Sequence, residues 1–150
     1  MSIPLPRRHE RLIYLAVAVL VLSGLVWLAG RYGLRPDPEL PHPLEAWALK
    51  LHGAAAMLGL LALGSVLPQH VRFAWRARRN RMSGATILSL AGALIVTGYG
   101  LYYAADENLR PWISLGHWGS GLVLPAGMIW HVVAGRRKKK RAAPERSVGG

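Results

Sequence analysis

Four stretches of the chain carry almost no charge: Leu12–Gly30, Leu44–Pro68, Met82–Ala105 and Pro111–Ala134. Each reaches the ~20 apolar residues needed to cross a ~30 Å hydrocarbon core. Backbone polar groups find no water there, so each stretch must be a helix. The pattern predicts an all-α fold, a four-helix transmembrane bundle within residues 1–135, followed by a basic, disordered tail over 136–150. Four prolines between Arg31 and Pro43 make the first connection extended. Only the short polar segment Ala105–Arg110 joins the third and fourth spans, which makes those two helices antiparallel neighbours. Pro125, inside the fourth span, predicts a kink. Gly84, Gly92 and Gly100 recur every eight residues and predict one face of close helix approach along the third span. The first span, whose polar group is Ser23, reads as a packing helix.

Charge adds a topology. A net charge of +12 would point to nucleic acid in a soluble protein. Here fifteen of the nineteen basic residues fall before the first span, between the second and third, or after the fourth. Five of the seven acids, Asp37, Glu39, Glu45, Asp106 and Glu107, fall on the other side. This is the positive-inside distribution, and it places both termini in the cytoplasm of a multi-pass protein of the cytoplasmic (inner) membrane. Topology alone accounts for the basic residues, so no nucleic-acid partner is implied. The partner of the apolar surface is membrane lipid. Trp27, Tyr32, Trp47, Tyr99, Tyr102, Tyr103, Trp112 and Trp118 form the aromatic belt at the outer face.

Histidines inside the spans bring in chemistry. An ionisable ring in a membrane segment marks a functional site by default. His117 and His131 lie fourteen residues apart on the fourth span, near one face of the helix and about 21 Å apart along it. His52 and His70 lie eighteen residues apart, five turns, on one face of the second. With both helices running inward, His52 and His117 share a depth near the outer surface, and His70 and His131 share one near the inner. Cysteine is absent, which excludes thiolate metal sites, iron–sulfur clusters and covalently attached haem. Imidazole suits iron, zinc or copper, but a structural zinc wants four ligands together and each depth supplies two. A histidine pair amid small residues suits the two axial positions of a haem iron. Two such haems, held without covalent attachment, would bridge most of the core as a path for single electrons. The unequal spacings leave a mismatch of about 6 Å along the axis. Either helix distortion absorbs it, or the inner iron takes His9 from the start of the first helix in place of His70.

Lys50-Leu-His-Gly53, Gly98-Tyr-Gly-Leu-Tyr-Tyr103 with Asp106-Glu-Asn-Leu-Arg110, and Gly116-His-Trp-Gly119 with His131-x-x-x-Gly135 resemble bacterial four-helix di-haem b-type cytochromes. The cytochrome b subunits of membrane-bound hydrogenases and formate dehydrogenases are relatives of that kind. The resemblance runs from about Arg8 to Arg137. It implies haem b, the cytoplasmic membrane, and electron exchange with quinone or with a soluble or membrane-bound redox partner protein. In some relatives an inner haem ligand comes from the first helix.

On this reading the protein is an electron-transfer subunit of an oxidoreductase rather than an independent enzyme, and no residue is assigned a catalytic role. His52, His117, His70 and His131 are the expected iron ligands, and Lys50 and Arg110 the expected partners of haem propionates at the outer side. Arg72, Arg76 and Arg136 are the inner counterparts; His9 and His42 are candidates for proton handling at a quinone site. Two other classes compete: a haem-free membrane scaffold or assembly subunit whose histidines hydrogen-bond between helices, and a small enzyme acting on quinone or superoxide.

Overall fold

The computed structural model describes residues 7–35, 37, 39–76, 78 and 80–141. Among these the chain is helical apart from short connections, with no strand. It divides into two units, Met1–Arg72 and Phe73–Gly150, each a pair of long helices.

In the first unit α1 (Arg7–Ala29) passes into a wide π-helical turn at Gly30–Leu34. α2 (Pro43–Val66) follows and widens in the same way at Leu67–Val71, ahead of a short α3 (Arg72–Arg76). The helix thus carries on past Gly30 through four residues of the connection expected to be extended. The two long helices run antiparallel: Gly30 faces Glu45, Gly24 faces His52, and Gly59 faces Ala16 and Leu20. Their seam is built from small groups at heptad spacing. Ala16 and Ser23 are buried on α1 and Gly30 at the start of the turn that follows it, and Ala48, Ala55 and Ala62 on α2. Small side chains let the two backbones approach, the usual basis of helix association where the solvent is itself apolar.

The connection is clamped at its base. Arg35 donates from Nε to Glu45 Oε1 and from Nη2 to Oε2, each at 2.6 Å. The same carboxylate accepts the backbone N–H of His42 at 3.0 Å, while His42 Nδ1 accepts from Leu44 N at 3.2 Å. This is a reciprocal cap with histidine in the usual place of serine or threonine, and Pro43 suits the first helical position. Glu45 is only 5% exposed, and it fits because Gly30 has no side chain: a Cβ there would lie 2.8 Å from Glu45 Cγ.

In the second unit α4 (Arg81–Tyr103) and α5 (Arg110–Arg141) pair in the same antiparallel sense. Gly84 faces His131, Gly98 faces His117, and Gly100 faces Ile113. Asp106 opens α5 by accepting from Asn108 N and Leu109 N, at 2.8 and 3.2 Å. Arg110 reaches back to the carbonyls of Leu101 and Ala104, at 2.9 and 3.1 Å, and so closes the C-terminal end of α4. Tyr99, Tyr102 and Tyr103 form an exposed aromatic cluster at that same end, with ring centroids 4.5 and 5.2 Å apart in the two contacts.

Large apolar side chains lie outward in both units. Leu15, Leu22, Leu61, Met82 and Val96 are all more than 60% exposed, and no large side chain among the described residues is fully buried. A seam of alanine, glycine and serine under a leucine-rich exterior suits lipid rather than water as the surrounding medium. Three helices are long and apolar enough to cross a membrane: Arg8–Leu34, Pro43–Val66 and Arg81–Tyr103. The expected fourth span is part of α5, which has the length but is less apolar than those three because His117, His131, Pro125 and several glycines interrupt its run. α5 continues through Pro125 and onward to Arg141, past the expected start of the tail at 136. Basic residues in the last turns of a helix interact favourably with the negative end of its macrodipole and favour such an extension; residues 142–150 lie outside those described.

Candidate functional site

Three of the expected ligand histidines occupy one repeated arrangement. His52 of α2 places Nδ1 at 2.9 Å from Ser23 Oγ of α1. His117 of α5 places Nδ1 at 2.9 Å from Thr97 Oγ1 of α4. His131, further along α5, places Nδ1 at 2.9 Å from Ser83 Oγ. In each case the hydroxyl residue is followed by glycine, and that glycine receives the edge of the ring. A Cβ on Gly24 would stand 3.7 Å from His52 Cε1, one on Gly84 3.8 Å from His131 Cε1, and one on Gly98 3.2 Å from His117 Cε1.

The hydroxyls are themselves tied to their own helices. Ser23 Oγ donates to the carbonyl of Val19 at 2.7 Å, with Leu20 O at 3.1 Å. Thr97 Oγ1 donates to Ala93 O at 2.6 Å, and Ser83 Oγ to Asn80 O at 3.3 Å. A hydroxyl has one proton and two lone pairs. With its proton directed into the helix, what it offers the imidazole is a lone pair. The ring nitrogen facing it, Nδ1, is then the one that carries hydrogen, and the lone pair of the neutral ring sits on Nε2. Ser23 and Ser83 are each 3% exposed, so water does not compete for the bonds to His52 and His131.

The remaining candidates stand outside this pattern. His70 lies in the π-helical turn beyond α2, half-buried, and His9 lies exposed in the first turn of α1. Lys50 stacks over the Trp47 ring with Nζ 4.7 Å from its centroid, and Arg110 holds the end of α4 as described. Arg72, Arg76 and Arg136 are exposed. His42 is engaged as the cap of α2. Among the described residues no group of three or more His, Cys, Asp or Glu converges.

Ser23, Ser83 and Thr97 are the residues that sequence reasoning passed over. Ser23 does more than pack: it makes α1 a supporting helix for the histidine of α2. The glycines of α4 also differ from the eight-residue face expected of them. Gly92 meets nothing within 4 Å, whereas Gly84 and Gly98, fourteen residues apart, receive the two histidines fourteen residues apart on α5. The signal that could have exposed them is the Ser/Thr-Gly dipeptide recurring one helix before each of these histidines. Gly121 and Gly135, four residues after His117 and His131, face Leu94 and Asn80 of α4 and its cap.

Compared with protein-family models, with curated proteins and with solved structures, the chain gives no match.

Proposed function

We propose that the protein is an integral-membrane b-type cytochrome that carries single electrons across the cytoplasmic membrane through two bis-histidine haems. In this reading it has four spans with both termini cytoplasmic, resembles the cytochrome b subunits of hydrogenases and formate dehydrogenases, and exchanges electrons with quinone and a protein redox partner. The observation that carries it is the shared placing of His52, His117 and His131, each with Nδ1 2.9 Å from a hydroxyl that has a carbonyl of its own helix or cap to take its proton; a hydroxyl so engaged accepts Nδ1–H and leaves the basic lone pair on Nε2. That is the form in which histidine ligates a metal, with its other nitrogen held by a hydrogen bond. Two axial histidines on a haem iron leave no coordination position for oxygen and suit one-electron transfer. The chain's own part is to hold the rings, orient them and keep water from the seam.

The first hairpin contributes His52 and the second His117 and His131; the fourth ligand is His70 or His9. His70 follows His52 by eighteen residues along the second apolar run, and His9 stands in the first turn of α1. Lys50 and Arg110 retain a place in this reading as partners of propionates.

The test is the visible spectrum of the purified protein before and after dithionite. A Soret shift with a sharp α-band is expected; their absence refutes the proposal. His52→Ala or His117→Ala should remove one haem of two, and His70→Ala with both haems intact would assign the inner site to His9. The same three hydrogen bonds also fit a haem-free scaffold whose histidines fasten helix pairs, and a colourless protein would decide for it. Quinone- or superoxide-dependent turnover without a partner subunit would make the protein an enzyme in its own right.

A further inference from the structure

We infer that Ser23, Thr97 and Ser83 are positioning residues that set the tautomer and ring plane of His52, His117 and His131, and through them the affinity and potential of the haems; the last step rests on the proposed haem function. Three independent sites show the same chemistry. Each hydroxyl oxygen lies 2.9 Å from Nδ1, and each directs its proton to a carbonyl of its own helix or its cap. The ring therefore has an acceptor fixed opposite Nδ1 and a glycine against Cε1. The first chooses which nitrogen is protonated and the second limits rotation of the ring.

The three sites are graded. Thr97 and Ser23 hold their carbonyls at 2.6 and 2.7 Å, whereas Ser83 holds Asn80 O at 3.3 Å. A hydroxyl whose proton is weakly committed can turn and donate to the ring instead, which would favour the opposite tautomer. The order of control is thus Thr97 and Ser23 first, Ser83 last.

The effect on iron has a definite sign. An acceptor on Nδ1–H makes the imidazole a stronger donor through Nε2 and favours the ferric state. Removing the acceptor weakens the ligand and raises the midpoint potential. Losing such an outer partner costs about 10-fold or more in metal affinity.

The experiment uses the full chain in detergent micelles, labelled with 15N-histidine, in wild type and in Ser23→Ala, Thr97→Val, Thr97→Ser and Ser83→Ala. Tautomers are read from ring 15N shifts in protein made under haem limitation. Haem dissociation and midpoint potential are read on haem-loaded protein, and far-UV circular dichroism follows folding. Ser23→Ala and Thr97→Val should move His52 and His117 from the Nδ1–H form towards a mixture, release the corresponding haem about 10-fold more readily and raise its potential. Thr97→Ser should behave as wild type, and Ser83→Ala should change least. Unchanged tautomers in both Ser23→Ala and Thr97→Val overturn the inference. If the protein binds no haem but its tautomers respond, the positioning role stands and the haem function falls. If it binds two haems whose affinity and potential ignore all four substitutions, the haem function stands and the positioning role falls.

Discussion

Alanine at the three ring-facing glycines gives a comparison in which the structure dictates the order. At Gly24 and Gly84 an added methyl would meet the histidine Cε1 at 3.7 and 3.8 Å, ordinary carbon–carbon contact. At Gly98 it would meet His117 Cε1 at 3.2 Å, inside the ~3.5–4.0 Å at which carbon atoms attract. The ring must yield a few tenths of an ångström, and it is tethered to Thr97 at 2.9 Å while Gly98 is itself well inside α4. Such overpacking costs about 1–3 kcal/mol. Alanine is better than glycine in a helix by about 1 kcal/mol. Gly98→Ala should therefore lose about 0–2 kcal/mol, and Gly24→Ala and Gly84→Ala should be neutral or gain up to about 1 kcal/mol.

The assay is unfolding of each variant in mixed micelles with increasing dodecyl sulfate, followed by helical circular dichroism. The loss at Gly98 should be accompanied by a change at His117 alone among the histidine resonances. A Gly98→Ala protein as stable as Gly24→Ala, with an undisturbed His117 signal, would show that the ring does not rest against this glycine and would undo the account of the site.

Three further outcomes follow from other contacts. Gly30→Ala puts a methyl 2.8 Å from Glu45 Cγ, so the carboxylate must leave Arg35 or the seam must open; faster proteolysis between residues 35 and 42 is expected, whereas Gly33→Ala, with nothing within 4 Å, should not change it. Arg110→Ala releases the carbonyls of Leu101 and Ala104 and should lower helix stability by about 0.3–1 kcal/mol; as a propionate partner it should also shift the potential of the outer haem, and an unshifted potential would confine Arg110 to closing α4. Gly135→Ala drives a methyl to 2.9 Å from Asn80 Nδ2, and Asn80→Gly should restore stability, because it removes the amide and suits the positive φ of 50°; a double-mutant cycle with no coupling would contradict that contact.

The helices were legible in the sequence because length and lack of charge are properties of each stretch by itself. The four apolar runs mark α1, α2, α4 and α5, with differences at their ends, where π-helical turns carry α1 and α2 past Gly30 and Val66 and α5 runs on to Arg141. His52, His117 and His131 were legible for the same reason, as ionisable rings in apolar runs. Ser23, Ser83 and Thr97 were not, because one serine or threonine in an apolar helix is ordinary and its meaning lies in the register with another helix. That register does leave a trace. When two antiparallel helices touch at two depths, both must show the same separation between contacts, so His117 and His131 require a partner pair also fourteen residues apart. Ser83-Gly84 and Thr97-Gly98 are that pair, and a search for an eight-residue glycine face passes over it.

The choice of hydroxyls over carboxylates at these sites follows from where they sit. A carboxylate would be the stronger acceptor for Nδ1–H, but an ionised group in a hydrocarbon medium is costly without a compensating charge. A backbone carbonyl is neutral, and that of Leu20 does assist Ser23 at His52, yet along a continuous helix its main lone pair is taken by the N–H four residues later. Serine and threonine avoid both difficulties. Bonded back to the carbonyl three or four residues before, as Ser23, Thr97 and Ser83 are, the hydroxyl satisfies its own proton and presents a neutral acceptor to the neighbouring helix. The glycine that follows lets that neighbour come close enough for the bond. Two consecutive residues thus supply both the polarity and the room that the histidine's hydrogen bond requires, within one hairpin and without a charge. That lets the dipeptide be placed twice along α4, and it explains why the polar groups buried in these seams, apart from the clamped Glu45, are the two serines that hold histidine.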